Sequence, residues 1–348
     1  MQIGKFKPAD ILDAMPDWVL TRSGRQPAKP HPIARRMVDE HASLADIAKL
    51  VGSVEALKQG RPADDLRALG LGMSSSDFTA ALGGSLRRVV ALAYDASSPH
   101  RAFTLPVPAR NFLQVDFPSV DLSDELPPVG ELSELKHQVV NVSTGLSAQL
   151  YTYGGAILVT RNTIINDDVG LLDTVFTQRG AAAARTEARI IYALLESNPM
   201  LADGELMFDA GHGNIVAASL DAASLAAAMG ALRTQPTLSG NLSNSKAAFL
   251  IISAALEYHA MKLLHDIGAT TIDIIASPWL PADRWYLMAA PSVAPVIGRL
   301  YLEGNIGSRP TIVEVIEPKI SIDGIMLRVM ADFGAVPLGR LGVVRGGA

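Results

Sequence analysis

Cysteine is absent from the sequence, which removes disulfide frameworks, thiolate nucleophiles, iron–sulfur clusters and cysteine-based zinc sites together. Aromatic residues make up only 5% of the chain and charged residues 19%, while 49% is hydrophobic. The apolar content is therefore mostly aliphatic, and it is too high for disorder of the low-hydrophobicity, high-charge kind. No uninterrupted apolar run approaches the roughly 20 residues a membrane helix needs. The first apolar stretch contains Asp10, Asp13 and Asp17, unlike the core of a signal peptide. These absences lead to the expectation of a soluble, unexported protein with no membrane contact.

What is there suffices for a sizeable core. A length of 348 residues allows two domains, or one elaborated domain with arms. The net charge of −5 is unevenly spread: residues 1–110 carry 15 Lys/Arg against 11 Asp/Glu, a net +4, and the remainder carries 15 against 24, a net −9. A mildly basic N-terminal third thus joins an acidic body. With a pI of about 5.8, this is not the profile of a dedicated nucleic-acid reader, although a weak, sequence-independent DNA contact or an acidic neighbour remains compatible with it.

Residues 1–70 are broken by Pro8, Pro16, Pro27, Pro30, Pro32 and Pro62, and read as an irregular arm that buries little by itself. One helix is expected within it, Leu44 to Lys58, capped by Ser43. A second is expected from Ser76 or Asp77 to about Tyr94, since Phe78, Leu82, Leu86 and Val89 or Val90 recur at helical spacing. Two extended arms, Asn111 to Asp116 and Gln138 to Val142, then flank a proline-rich tip. Between Asp116 and Glu134 stand six carboxylates and no Lys or Arg. So long a stretch without an evident core reads as a protruding hairpin that needs an outside surface.

A strand is expected from Leu150 through Val159, and a long helix from Val169 to Glu196, roughly 40 Å at 1.5 Å per residue. Leu172, Phe176, Ala183, Ile190 and Leu194 form its expected apolar stripe, Arg179 falls within that stripe and so needs a partner, and Arg185 and Arg189 form an i, i+4 pair opposite. Asn198 and Pro199 stop the helix. Residues 200–307 alternate helix and strand. A helix at Leu220 to Arg233 has Leu225, Met229 and Leu232 on one face, Ala247 to Ser253 and Ile272 to Ala276 are short strands, and Leu256 to Ile267 is a helix ended by Gly268. Strands at Thr311 to Ile316, Lys319 to Ile322 and Ile325 to Phe333 close the chain, with Asp323 and Gly324 as a tight turn. There is no internal repeat.

The common catalytic signatures are missing: no Walker A sequence, no intact GxGxxG, no GxSxG and no HExxH occurs. Gly70 and Gly72 lack a third glycine and a leading strand, and read as a loop. Ser133 and Lys136 form an SxxK without its companion motifs. Of the seven histidines only His212, with Asp209, has ligand-like spacing, and in a glycine-containing loop that pair reads first as turn-stabilising. A metal-dependent hydrolase using Asp209 and His212 is the alternative from a different class. No catalytic residue, cofactor or metal site is otherwise assigned, and the chain reads as no enzyme.

The order of parts and its local words carry a resemblance. The words are Ser76, Asp77, Phe78; Arg161 to Asp168; Asn198, Pro199 through Asp203, Gly204, Phe208, His212, Gly213, Asn214; Trp285, Tyr286, Leu287; Tyr301, Leu302, Glu303, Gly304; Asp323, Gly324; and Asp332, Phe333, Gly334. Together, over about residues 74–340, they resemble the major capsid proteins of tailed phages, of the α+β Hong Kong 97 fold, and more closely the Mu-like head subunits and the capsid part of prohead protease fusions. The resemblance implies an N-terminal arm (1–104), an E-loop (105–150), a P-domain (151–199, spine helix 168–197), an A-domain (200–307) and C-terminal P-domain strands (308–348).

The resemblance also implies hexamers and pentamers of one chain in an icosahedral shell around double-stranded DNA. Portal, scaffold or prohead protease, and a decoration protein, are its expected partners; the virion capsid, and the host cytoplasm during assembly, its expected location. An encapsulin-like nanocompartment shell is the alternative of the same fold. Some relatives begin near Ser74 after proteolytic removal of upstream sequence, and the fate of residues 1–70 stays open here. Some form Lys–Asn crosslinks from the E-loop, but Lys136 is the only lysine in that loop, and crosslinking is not carried over. The expected intersubunit contacts are Asp121, Asp124, Glu125, Glu131 and Glu134 of the hairpin against Arg179, Arg185 and Arg189 of a neighbour. Lys5, Lys7, Arg22, Arg25, Arg35 and Arg36 are the expected non-specific contacts to DNA or to an acidic neighbour.

Overall fold

The structure is a computed structural model, and it describes residues 7–22, 24, 25, 27, 29–60, 64–73, 75–121, 141–166, 169–237, 240–304, 309, 312–316 and 324–347. In chain order the helices are α1 (Pro8–Arg22), α2 (Pro32–Asp39), α3 (Leu44–Lys58), α4 (Asp65–Met73), α5 (Ser76–Ala96), α6 (Arg161–Ile165), α7 (Val169–Glu196), α8 (Ala222–Thr234) and α9 (Glu257–Asp266). The strands are β1 (Leu105–Ala109), β2 (Val115–Asp121), β3 (Asn141–Ala148), β4 (Tyr151–Thr160), β5 (Ile215–Val216), β6 (Ala247–Ser253), β7 (Asp273–Ser277), β8 (Trp285–Ala289), β9 (Ile297–Leu302), β10 (Ile312–Ile316), β11 (Gly324–Pro337) and β12 (Val343–Gly346). The chain divides into two compact units, one of residues 1–98, 152–185 and 309–332, the other of residues 99–151, 186–308 and 333–348.

In the first unit the N-terminal segment is helical, which corrects the expectation of an irregular arm. The prolines mislead because two of them start helices: Pro8 and Pro32 are the first residues of α1 and α2, where the missing N–H would have had no partner anyway. Pro16 stands inside α1, whose Ile11, Ala14, Met15 and Trp18 are nevertheless fully buried. The helix α3 has the expected bounds and cap. Ser43 Oγ accepts the Asp46 N–H at 3.0 Å and Asp46 Oδ2 accepts the Ser43 N–H at 3.1 Å, a reciprocal capping box.

Gly70 and Gly72 are helical rather than looped, and Gly72 has a packing role. A Cβ on Gly52 of α3 would overlap the Ala68 carbonyl oxygen of α4, and one on Gly72 would overlap that of Ala48. Backbone thus meets backbone where α3 crosses α4. The helix α5 starts at Ser76, as expected, though Ser75 makes no side-chain cap bond. Its Phe78, Leu82, Leu86, Val89 and Val90 pack into one core with α1, α3, Val159, Leu172, Phe176, Leu327 and Val329. In the same unit β10 pairs antiparallel with the first part of β11, and β4 also pairs with β11.

The helix α7 has the expected bounds but not the expected stripe. Leu172 and Phe176 are buried, while Ala183, Ile190 and Leu194 are only partly so and Arg179 is exposed. Buried positions instead run through Gly180, Ala184 and Ala188 in steps of four, and each such step turns the buried face further around a helix of 3.6 residues per turn. Gly180 lets α5 approach, since a Cβ there would meet the Val90 carbonyl and Ala93.

The second unit holds a five-stranded sheet in the order β5-β12-β8-β6-β7, with β6–β7 and β5–β12 parallel and β8 antiparallel to both neighbours. Both faces are covered, and the alternation of strand side chains sorts the core in two. Ile251, Tyr286, Met288 and Val343 face Ala188, Ile191, Tyr192 and Leu195 of α7. Leu250, Ile252, Trp285, Leu287 and Val344 face Leu225, Ala228 and Leu232 of α8 and Ala260 and Leu264 of α9. Met229, expected on the inner face of α8, is 39% exposed. Gly268 ends α9 with φ +68°. The expected Lys319 to Ile322 strand and the turn residue Asp323 lie outside the described residues. Among the described residues no helix is long and apolar enough to cross a membrane.

Candidate assembly surfaces

The hairpin begins after β1, which pairs parallel with β9. A turn at residues 111–113, in which Asn111 Oδ1 accepts the Leu113 N–H at 3.1 Å, leads into β2; the expected arm at Asn111 thus becomes a strand only from Val115. Strands β2 and β3 form a two-stranded antiparallel sheet of their own, from Val115 opposite Ala148 to Asp121 opposite Asn141. The register shifts between Phe117 and Ser119, at Pro118, which has no N–H to give the ladder. At the base, Phe117 and Leu146 pack against Ala109, Ala148, Leu150, Leu300 and Val336, while Asp116 and Ser147 are exposed. Asp121 ends β2; Asp124, Glu125, Glu131 and Glu134, with Gln138, Ser133 and Lys136, lie outside the described residues.

The cations expected to meet that tip are on α7. Arg179, Arg185 and Arg189 are all exposed, and none has an ion-pair partner among the described residues. This corrects the need for an internal partner at Arg179. Of the basic N-terminal residues, Lys5 lies outside the described residues, and Lys7, Arg35 and Arg36 are exposed. Arg22 lies over the Trp18 ring at 5.6 Å and donates to the Ala42 carbonyl at 3.0 Å. Arg25 is half-buried, donates to Thr177 Oγ1 at 2.8 Å and lies 3.5 Å from Asp173. Part of the basic excess is therefore spent inside the first unit.

Asp209 and His212 point to different partners. Asp209 Oδ1 accepts the Gly211 N–H at 2.7 Å, holding its turn, whereas buried His212 is 3.3 Å from Asp203, whose same oxygen is 3.4 Å from Arg340. Among the described residues no three acidic or imidazole side chains are grouped to hold a metal ion.

Sequence reasoning missed a buried ionic cluster in the second unit. His100, in a short 3-10 turn after α5, is 2.7 Å from Glu187 of α7, and Arg299 of β9 is 3.6 Å from the other Glu187 oxygen. All three are at most 2% exposed. Nearby, Tyr286 donates to Glu196 at 2.6 Å, and burial with the Glu196 charge raises its phenol above the usual range. The partners stand about 90 or more residues apart, so no local spacing marks them; the only signal was a charged residue on an otherwise apolar helix face or strand.

A family profile described as phage capsid protein matches residues 144–346, more than half of the chain. The chain belongs to the phage capsid protein family. It is a major capsid protein, a structural protein of the virion shell that assembles with copies of itself. No curated protein matches its sequence. Its fold is similar to that of the virus-like particle from Pyrococcus furiosus, at 14% identity and a TM-score of 0.51, over 76% of this chain and 98% of that one. The capsid of Cyanophage P-SCSP1u is similar at 13% identity and a TM-score of 0.48, over 72% and 88%. The fold of the capsid protein is of the Hong Kong 97 type, α+β with a long helix and an extended hairpin.

Proposed function

We propose that this capsid protein assembles as hexamers and pentamers into an icosahedral shell around double-stranded DNA, and that its hairpin is the principal intersubunit clasp. The supporting observation is the separate β2–β3 sheet, together with a sequence from Asp116 to Glu134 that has six carboxylates and no Lys or Arg. Carboxylates so concentrated would gain register by meeting cations on a neighbour; exposed Arg179, Arg185 and Arg189 are the proposed partners. In this reading residues 105–150 are the E-loop, 1–104 the N-terminal segment, 151–199 and 308–348 the P-domain, and 200–307 the A-domain. Portal, scaffold or prohead protease, and a decoration protein, are the proposed partners of assembly in the host cytoplasm.

Each exposed pair contributes only about 0–1 kcal/mol, so single changes should do little and clustered reversals much. The variant Asp121→Lys, Asp124→Lys, Glu125→Lys is expected to yield folded subunits that form no closed shells by electron microscopy. Unaltered shells would count against the clasp. The contents of purified particles, nucleic acid or protein cargo, separate this reading from a nanocompartment shell.

A further inference from the structure

We propose that residues 8–73 are a permanent folded part of the mature shell subunit, not a removable leader or scaffold-like segment. Two features tie them to the rest of the first unit. The first is shared core: Ile11, Ala14, Met15 and Trp18 are fully buried in the same cluster as Phe78 and Leu82 of α5, Phe176 of α7, and Leu327 and Val329 of β11. Removing α1 would strip that cluster of its cover and present a contiguous apolar face to water.

The second is a pair of polar ties. Asp17 of α1, only 9% exposed, holds Arg88 of α5 at 2.8 Å through one oxygen and accepts the His31 N–H at 2.8 Å through the other. Arg25 reaches Thr177 and Asp173 of α7. Loss of the N-terminal segment would leave Asp173 without the Arg25 charge. Within the segment itself, α3 and α4 cross at Gly52 and Gly72, where the backbones touch. A segment destined for release needs a weak, polar boundary, whereas this one is joined through apolar burial and charge.

Two measurements test the proposal. Intact-mass and N-terminal analysis of subunits from purified DNA-filled particles should find residues 8–73 retained; subunits that begin after Met73 would overturn it. In the full-length protein, a specific-protease site can be placed between exposed Gln59 and Asp64. After cutting, the fragment ending near Gly60 should co-sediment with the remainder and separate only in denaturant. Release of that fragment under native conditions would equally overturn the proposal.

Discussion

Glu187 is 1% exposed and faces His100 on one side and Arg299 on the other, so its carboxylate neutralises a cation that water cannot reach. Removing one member of a buried ionic group leaves the others uncompensated, at a cost of about 3–5 kcal/mol. Glu187→Ala is expected to lower the unfolding free energy of the purified subunit by that amount in denaturant titrations, and Glu187→Gln, which keeps shape and hydrogen bonding, by less. Tyr192 gives a pH prediction. Burial pushes its phenol from 10.0 to about 12, against Phe103 and Trp279 rings at 6.0 and 5.9 Å. Above pH 10 the unfolded chain loses this proton while the folded one keeps it, so the unfolded state binds fewer protons and stability falls as pH rises towards 12. Phenolate absorbance should show Tyr192 ionising with or after unfolding; ionisation near pH 10 in folded protein would contradict its burial.

Between elements, the α3–α4 crossing depends on two hydrogen atoms in place of side chains. Gly52→Ala and Gly72→Ala each force the helices apart, and overpacking of this kind costs about 1–3 kcal/mol. Gly70→Ala in the same helix meets nothing within 4 Å and should instead gain about 0.5–1 kcal/mol of helix preference. Thermal unfolding of the three variants checks the contrast. If all three behaved alike, close contact would not be what requires glycine at 52 and 72.

For the whole molecule, the net +4 of residues 1–110 against −9 elsewhere bears on the proposed contact with DNA. With Arg22 and Arg25 already engaged inside the subunit, exposed Lys7 and Arg35 are the proposed cations for a phosphate contact. Such a contact releases counterions, discriminates no bases and weakens steeply with salt. Binding of the purified subunit to duplexes of unrelated sequence should be equal, and should fall by orders of magnitude between low and moderate salt. Binding that is salt-independent or sequence-selective would refute a purely electrostatic contact.

Much of this protein was determined by local sequence alone. The bounds of α3 follow from Ser43, Asp46 and the apolar spacing behind them; those of α7 from its helix-forming run and the stop at Asn198 and Pro199; β6 from a block of apolar residues between breaks. The order of these elements, with their short words, also sufficed for the α+β fold and the family. Tertiary structure decided what depends on neighbours distant in sequence. Prolines looked like breaks until α1 and α2 were seen to start on them, because a proline at a first helical turn lacks only a bond that no helix makes there. Arg179 looked buried because spacing reports a repeat, not which side of a helix other elements cover. The meeting of His100, Glu187 and Arg299 arises only when a turn, a helix and a strand pack together, since a buried charge is specified by partners that the chain brings from far away.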